Sequence, residues 1–316
     1  MLSKFLVKRL ARLAASLLVA SFVIFGAMYL APGSVIATLS GGHALPQSSV
    51  RILDARYHLN APFFVQYWDW LTSALRGNLG VSITQRENVS TLIASRIWTT
   101  AGLVLYASVL ILVFGIGLGV LSGLRRGLVD TSSLVLSAVS AAIPAFVAAI
   151  ILVICFSVKL AWFPSLGNGT DFIDNIRHFT LPAIALAVSS LAVVARVTRS
   201  AVREESLREH VQTAESRGIP PRQLIRRHIL RNAAIPITTV SGITIASLIA
   251  LAAIVEVAFG LNGLGAFLVQ SAETKNLAVV QGISLLLVTA FVVVNLAVDV
   301  LYALLDPRVR LGARAR

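Results

Sequence analysis

The chain has 316 residues, 57% of them hydrophobic and 13% charged, with a mean hydropathy of +0.84. That is about half the charge of an ordinary soluble domain, and uncharged runs recur that are long enough to cross a bilayer. These features exclude a soluble protein folded around one large core, and much of the surface has to face lipid.

In chain order, the apolar runs cover residues 13–31, 98–124, 131–158, 179–195, 232–255 and 276–298. At 1.5 Å per residue, about 20 residues span the ~30 Å hydrocarbon layer, so the runs predict six transmembrane helices in an all-α membrane protein. Only the fourth run, at 17 residues, is short, and it is expected to continue through Arg196. The first run follows Lys4, Lys8, Arg9 and Arg12. It is too long for a signal-peptide core and ends in a poor cleavage sequence, Ala31-Pro32-Gly33, so it reads as a retained anchor.

Basic residues divide unequally between the two sides. The N-terminus has four, Arg125-Arg126 two, the segment 196–231 nine and the C-terminal tail four, against eight in the opposite loops. The positive-inside rule then places both termini in the cytoplasm. This asymmetry accounts for the net charge of +13 better than nucleic-acid binding does, since no basic domain surrounds the arginines. Cys155, the only cysteine, lies inside the third run, which leaves it a packing role and no intramolecular disulfide.

Two segments lie outside the runs. Residues 32–95 form an extracytoplasmic segment with an aromatic cluster (Phe63, Phe64, Tyr67, Trp68, Trp70) at helical spacing behind Pro62. It suits a helix on the membrane interface, a cap over a pore, or a docking surface for a partner. In the second segment, residues 203–231, Leu207, Val211 and Ala214 recur at i, i+4 and i+7 along a helix expected over 203–218. Glu204 and Arg208 are spaced for a pair on its exposed side. Gly218 suits the position just past a helix end, and Pro220-Pro221 stops that helix and permits another to start. The apolar face has two possible destinations: back against the membrane and neighbouring spans, or into a groove on a cytoplasmic protein.

No P-loop, HExxH, CxxC or GxSxG motif occurs, and His43, His58, His178, His210 and His228 are scattered outside the runs. Nothing here supports catalysis by the chain, a metal site or a cofactor. Glu256, Asn295 and Asp299 interrupt apolar surroundings, where an ionised group costs at least about 2.5 kcal/mol at the bilayer centre. Both acids lie toward the ends of their runs, where each could pair with an arginine or cap a helix; alternatively Glu256, Asn295 and Asp299 line a translocation path or gate, with Glu256 at its exit. Asn295 could bond between helices. Lys159, at the end of the third run, suits snorkelling.

Several blocks resemble, in order, the permease subunit of ATP-binding cassette (ABC) importers of the dipeptide, oligopeptide and nickel family. They are YHLNAPFFVQYWDWL, RGNLGVSI, LPAIALAVSSLAVVARVTRSAV, HVQTAESRG, HILRNAAIP, FGLNGLG and VDVLYALLDPRVR. The resemblance covers nearly the whole chain and implies the type I ABC importer permease fold: residues 1–31 as tail and first span, 32–95 outside, and 96–316 as the permease core. It implies alternating access with a second, similar permease, two ATPase subunits that bind ATP and magnesium, a substrate-binding protein, and a di- or oligopeptide as solute. A nickel chelate or a glutathione-like solute is the alternative within the family. It also makes the segment 203–231 a coupling loop, with Leu207, Val211, Ala214, Glu215 and Gly218 as the ATPase-coupling residues and Leu207 and Val211 on the inserted face. The sequence departs from the frequent pattern at four places. Ser34, Asn60 and Asn78 stand where acids are frequent, and Pro236 lies 18 residues after Gly218, as in the peptide branch, where many other importers have 13. From a different class, an ATP-independent secondary transporter or channel would more often show an inverted repeat with broken helices. A membrane scaffold would not explain the coupling-type loop.

Overall fold

The computed structural model describes residues 2–30, 61–82, 84–125 and 127–305. Ser34, Asn60 and the last residues of the C-terminal block therefore lie outside the described residues.

The first helix, α1 (Leu2–Leu30), is apolar through its second half and largely exposed, as suits a span that meets lipid on most sides. Against it lies α2 (Phe63–Leu75), which starts directly after Pro62. Phe63 meets the rings of Phe22, Phe25 and Tyr29 at 5.0–5.6 Å between centroids, and the Tyr67 hydroxyl is 2.9 Å from the Ser21 hydroxyl. The aromatic cluster is thus a helix clipped onto the first span, with Phe64 and Trp68 on its open side.

Next comes α3 (Val89–Leu124), which contains a π turn at Ile111–Gly115. Its second half carries Gly115, Gly119 and Gly123 one turn apart, facing α6 (Phe172–Ser206). A Cβ on Gly119 would come within 2.6 Å of the Ala195 carbonyl, so the two backbones approach as closely as a small-residue stripe allows. The α6 helix begins at Asp171, whose side chain accepts the Asp174 N–H at 2.8 Å. It runs through Arg196 as expected and ten residues beyond, with Pro182 inside it. Its position at the centre of the bundle explains its continuous burial, from Leu181 and Leu186 through Val194 to Val202.

The third predicted span, 131–158, differs from expectation. It is a pair of helices, α4 (Leu128–Ala142) and α5 (Ala145–Lys159), bent by 101°. The cause is Ile143-Pro144. A residue before proline is pushed out of the helical region, and both adopt extended angles (φ −85°, ψ 115° and φ −62°, ψ 147°). With this pair counted as one span, six apolar segments among the described residues are long enough to cross a membrane.

After α6 the chain forms a short helix, α7 (Glu209–Ser216), and then the long α8 (Pro221–Ala258), which begins at the second proline and keeps Pro236 within it. A turn leads to α9 (Leu264–Glu273) and the last span, α10 (Leu277–Leu305). The main core joins α3, α5, α6 and α8 through Leu103, Ile111, Ala149, Leu186, Leu248 and Val255. Cys155 is half-buried in α5, and Lys159 is exposed at its end.

Candidate functional site

At one end of the bundle, α7 lies across the gap between α6 and α8. Eight residues are too few for a stable helix in water, so the tertiary contacts and the end geometry hold it. Val211 and Ala214 are 3% and 6% exposed and pack with Val202, Leu224, Ile229, Ala233 and Ile237 of the same chain. The expected apolar face therefore turns inward onto neighbouring helices. Leu207 does not share it: α6 ends at Ser206, α7 starts at Glu209, and Leu207 sits in the break with its side chain 55% exposed. The continuous helix expected over 203–218 is two helices, and Leu207 and Val211 are not one inserted surface. What α7 turns outward is Gln212, Thr213, Glu215 and Ser216.

The far end of α7 is as expected. Gly218 has φ +76°, its N–H donates to the Glu215 carbonyl at 2.9 Å, and the Ile219 N–H donates to the Ala214 carbonyl at 3.3 Å. This is a Schellman closure, in which glycine adopts the left-handed conformation. At the near end the Glu204–Arg208 pair forms on the exposed side, 3.3 Å apart. The neighbouring Glu205 is buried, and accepts from Asn232 Nδ2 at 2.9 Å with Arg208 Nε at 3.1 Å and His210 Nε2 at 3.3 Å.

A second ionic cluster lies at the same end. Asp130, in the first turn of α4, receives Arg199 through Nε and through Nη2 (2.8 Å), Arg203 through Nη1 (2.7 Å) and the Ser122 hydroxyl (3.0 Å). One carboxylate thereby ties α4 to the last turns of both α3 and α6.

The opposite end is organised by Glu256, which is 0% exposed. It accepts the Thr100 hydroxyl at 2.6 Å and the Ala266 N–H at 2.9 Å, while Thr100 Oγ1 accepts the Leu264 N–H at 2.8 Å. The α9 N-terminus is thus capped by side chains from α3 and α8, where its free N–H groups attract a negative charge. The carboxylate is enclosed by its own chain and lines no open path in this structure; its bonds are those of the helix-capping alternative. A bridge runs alongside. Asn168 donates to Thr99 at 2.9 Å and accepts the Asn262 N–H at 2.7 Å, and the Gly167 N–H donates to the Phe259 carbonyl at 2.9 Å.

Asn295 donates to the Phe291 carbonyl of its own helix at 2.9 Å rather than to another helix. It lines a shallow cavity of about 240 Å³ with Arg9, Arg12 and Ser16 of α1. Asp299 lies in α10 with its side chain outside the described residues. Glu256, Asn295 and the coupling residues are therefore not brought together. Among the described residues no cluster of three or more His, Cys, Asp or Glu could hold a metal ion.

Asp130 lies one residue before the third run and outside the sequence-based site residues, although a lone acid beside an apolar stretch is the same signal that marks Glu256. No local pattern distinguishes buried Glu205 from exposed Glu204.

Comparison with known proteins defines the class. Residues 115–311 match the family described as the binding-protein-dependent transport system inner membrane component, and residues 1–104 match the N-terminal family of such components. The chain belongs to this family and is a membrane-spanning permease subunit of an ABC importer. A putative peptide permease protein of Brucella suis is 35% identical over 302 residues, covering 93% of this chain and 95% of the relative. The glutathione transport system permease protein GsiC of Escherichia coli K12 is 31% identical over 307 residues, covering 97% and 98%. Among solved structures, the methionine ABC transporter MetNI in inward-facing conformations shares the fold. Its TM-score is 0.57 at 20% identity, covering 68% of this chain and 96% of that one.

Proposed function

We propose that the chain is one half of the permease of an ATP-driven importer for di- or oligopeptides, with α7 as its ATPase dock. The observation that carries the reading is the geometry of α7: a short helix fastened to α6 and α8 on one side and open on the other. A segment held this way transmits force instead of absorbing it. Val211 and Ala214 fasten it to its own chain, Gly218 ends it, and Glu215, with its exposed neighbours and Leu207, meets the partner.

The peptide solute is supported by relatives named peptide permeases at 35–36% identity over nearly full length. A glutathione-like solute is the second reading, supported by the glutathione permeases at 31%. A second similar permease completes the path, two ATPase subunits bind and hydrolyse ATP, and a binding protein delivers solute from outside. Both termini and α7 lie in the cytoplasm, as the distribution of basic residues indicates. ATP binding draws the docks together and shifts the pair from inward-open to outward-facing, and hydrolysis resets it.

Uptake by the complete transporter in proteoliposomes tests this. A labelled tripeptide is expected to enter only with binding protein and ATP, and to be competed by peptides more than by glutathione. Uptake without ATP would contradict the importer reading, and preferential competition by glutathione would replace the solute.

A further inference from the structure

Of the two carboxylates that gather several partners at the dock end, Asp130 joins spans to one another, whereas Glu205 joins spans to the dock. Its carboxylate is 8% exposed, and its three partners come from three places: Arg208 in the break after α6, His210 in the first turn of α7, and Asn232 in α8. Asn232 is itself fixed, since its amide also reaches the His228 carbonyl at 3.0 Å. The break at Leu207–Arg208 is where α7 could otherwise swing freely, because a non-helical joint absorbs motion. A buried carboxylate that is hydrogen-bonded to Asn232 of α8 and lies against Arg208 in the joint and His210 beyond it resists the swing, since pulling the joint open leaves a buried charge and a polar amide without partners.

We propose that Glu205 is a positioning residue of the transport cycle: it braces the α6–α7 joint against α8, so that displacement of the dock is delivered to both long helices. Without the brace, α7 keeps its apolar contacts through Val211 and Ala214 and still presents its open face, but its motion is taken up at the joint. Glu205 touches neither solute nor nucleotide and acts only through α7 and α8. The inference rests on the reading of α7 as the dock.

The test uses the complete transporter in nanodiscs and follows hydrogen exchange without nucleotide and with ATP and vanadate. In the parent, trapping is expected to alter exchange in residues 160–171 and 259–263, the bridged loops at the far end of the bundle, and no change there in the parent would overturn the brace. Glu205→Ala and Asn232→Leu are each expected to keep the ATPase subunits bound and hydrolysing ATP, and to lose this far-end response. The second variant removes one arm and leaves the carboxylate with Arg208 and His210, so the claim stays testable if the first folds poorly. Glu205→Gln, which keeps an acceptor for Asn232, is expected to restore part of the response. A parental far-end response in both variants would overturn the brace. So would release of the ATPases by both, which would make Glu205 a structural part of the dock. Failure of the parent itself to hold the ATPases would overturn the dock reading instead.

Discussion

Two glycines separate two reasons for glycine. At Gly218 an added Cβ meets nothing within 4 Å, but φ is +76°, so Gly218→Ala carries only backbone strain of about 1–2 kcal/mol. At Gly263 the backbone is ordinary, φ −103°, but an added Cβ would overlap the Glu256 carboxylate. Gly263→Ala therefore displaces a buried ionisable group from its donors, and is expected to lower the thermal midpoint in detergent more than Gly218→Ala does. Equal midpoints would mean that Glu256 is not held as described. Glu256→Ala, by leaving the Thr100 hydroxyl and the Ala266 N–H without an acceptor, is expected to cost about 3 kcal/mol. Unchanged stability would refute the cap. Sequence reading found Glu256 because a lone acid in an apolar run is conspicuous. Thr100, its partner 156 positions earlier, has no such signal, because threonine is ordinary in a membrane helix.

At the scale of elements, the spans are legible in the sequence and their interruptions are not. Apolar runs mark where a helix can meet lipid, but Pro144 breaks the third segment while Pro182 and Pro236 sit inside continuous helices. What differs is tertiary: α6 and α8 are packed along their length, whereas α4 is largely exposed. The same limit applies to α7. Spacing revealed an apolar face and Gly218 its end, but not that the face would fold back onto α8, nor that the chain would break at Leu207. The Asp130 cluster makes a prediction at this scale. Asp130→Arg is expected to set three cations together and reduce the yield of folded permease measured by size exclusion. Combining it with Arg199→Asp should recover most of that yield. No recovery would mean that the pairing does not hold α3, α4 and α6 together.

For the whole molecule, the two ends are built differently. The end that carries α7 holds its helices with ionic clusters around Asp130 and Glu205, and the far end with the Glu256 cap and the Asn168 bridge. The long packed helices α6 and α8 connect them, which suits a body that tilts as a unit more than one that bends in the middle. The most direct measurement is site-specific cross-linking of the transporter in its own membrane. A cysteine at the exposed Glu215, in a Cys155→Ser background, should form a cross-link to an ATPase subunit, whereas one at the exposed Val135 within the apolar α4 should not. An active transporter in which Glu215→Cys forms no cross-link to any ATPase would contradict the account.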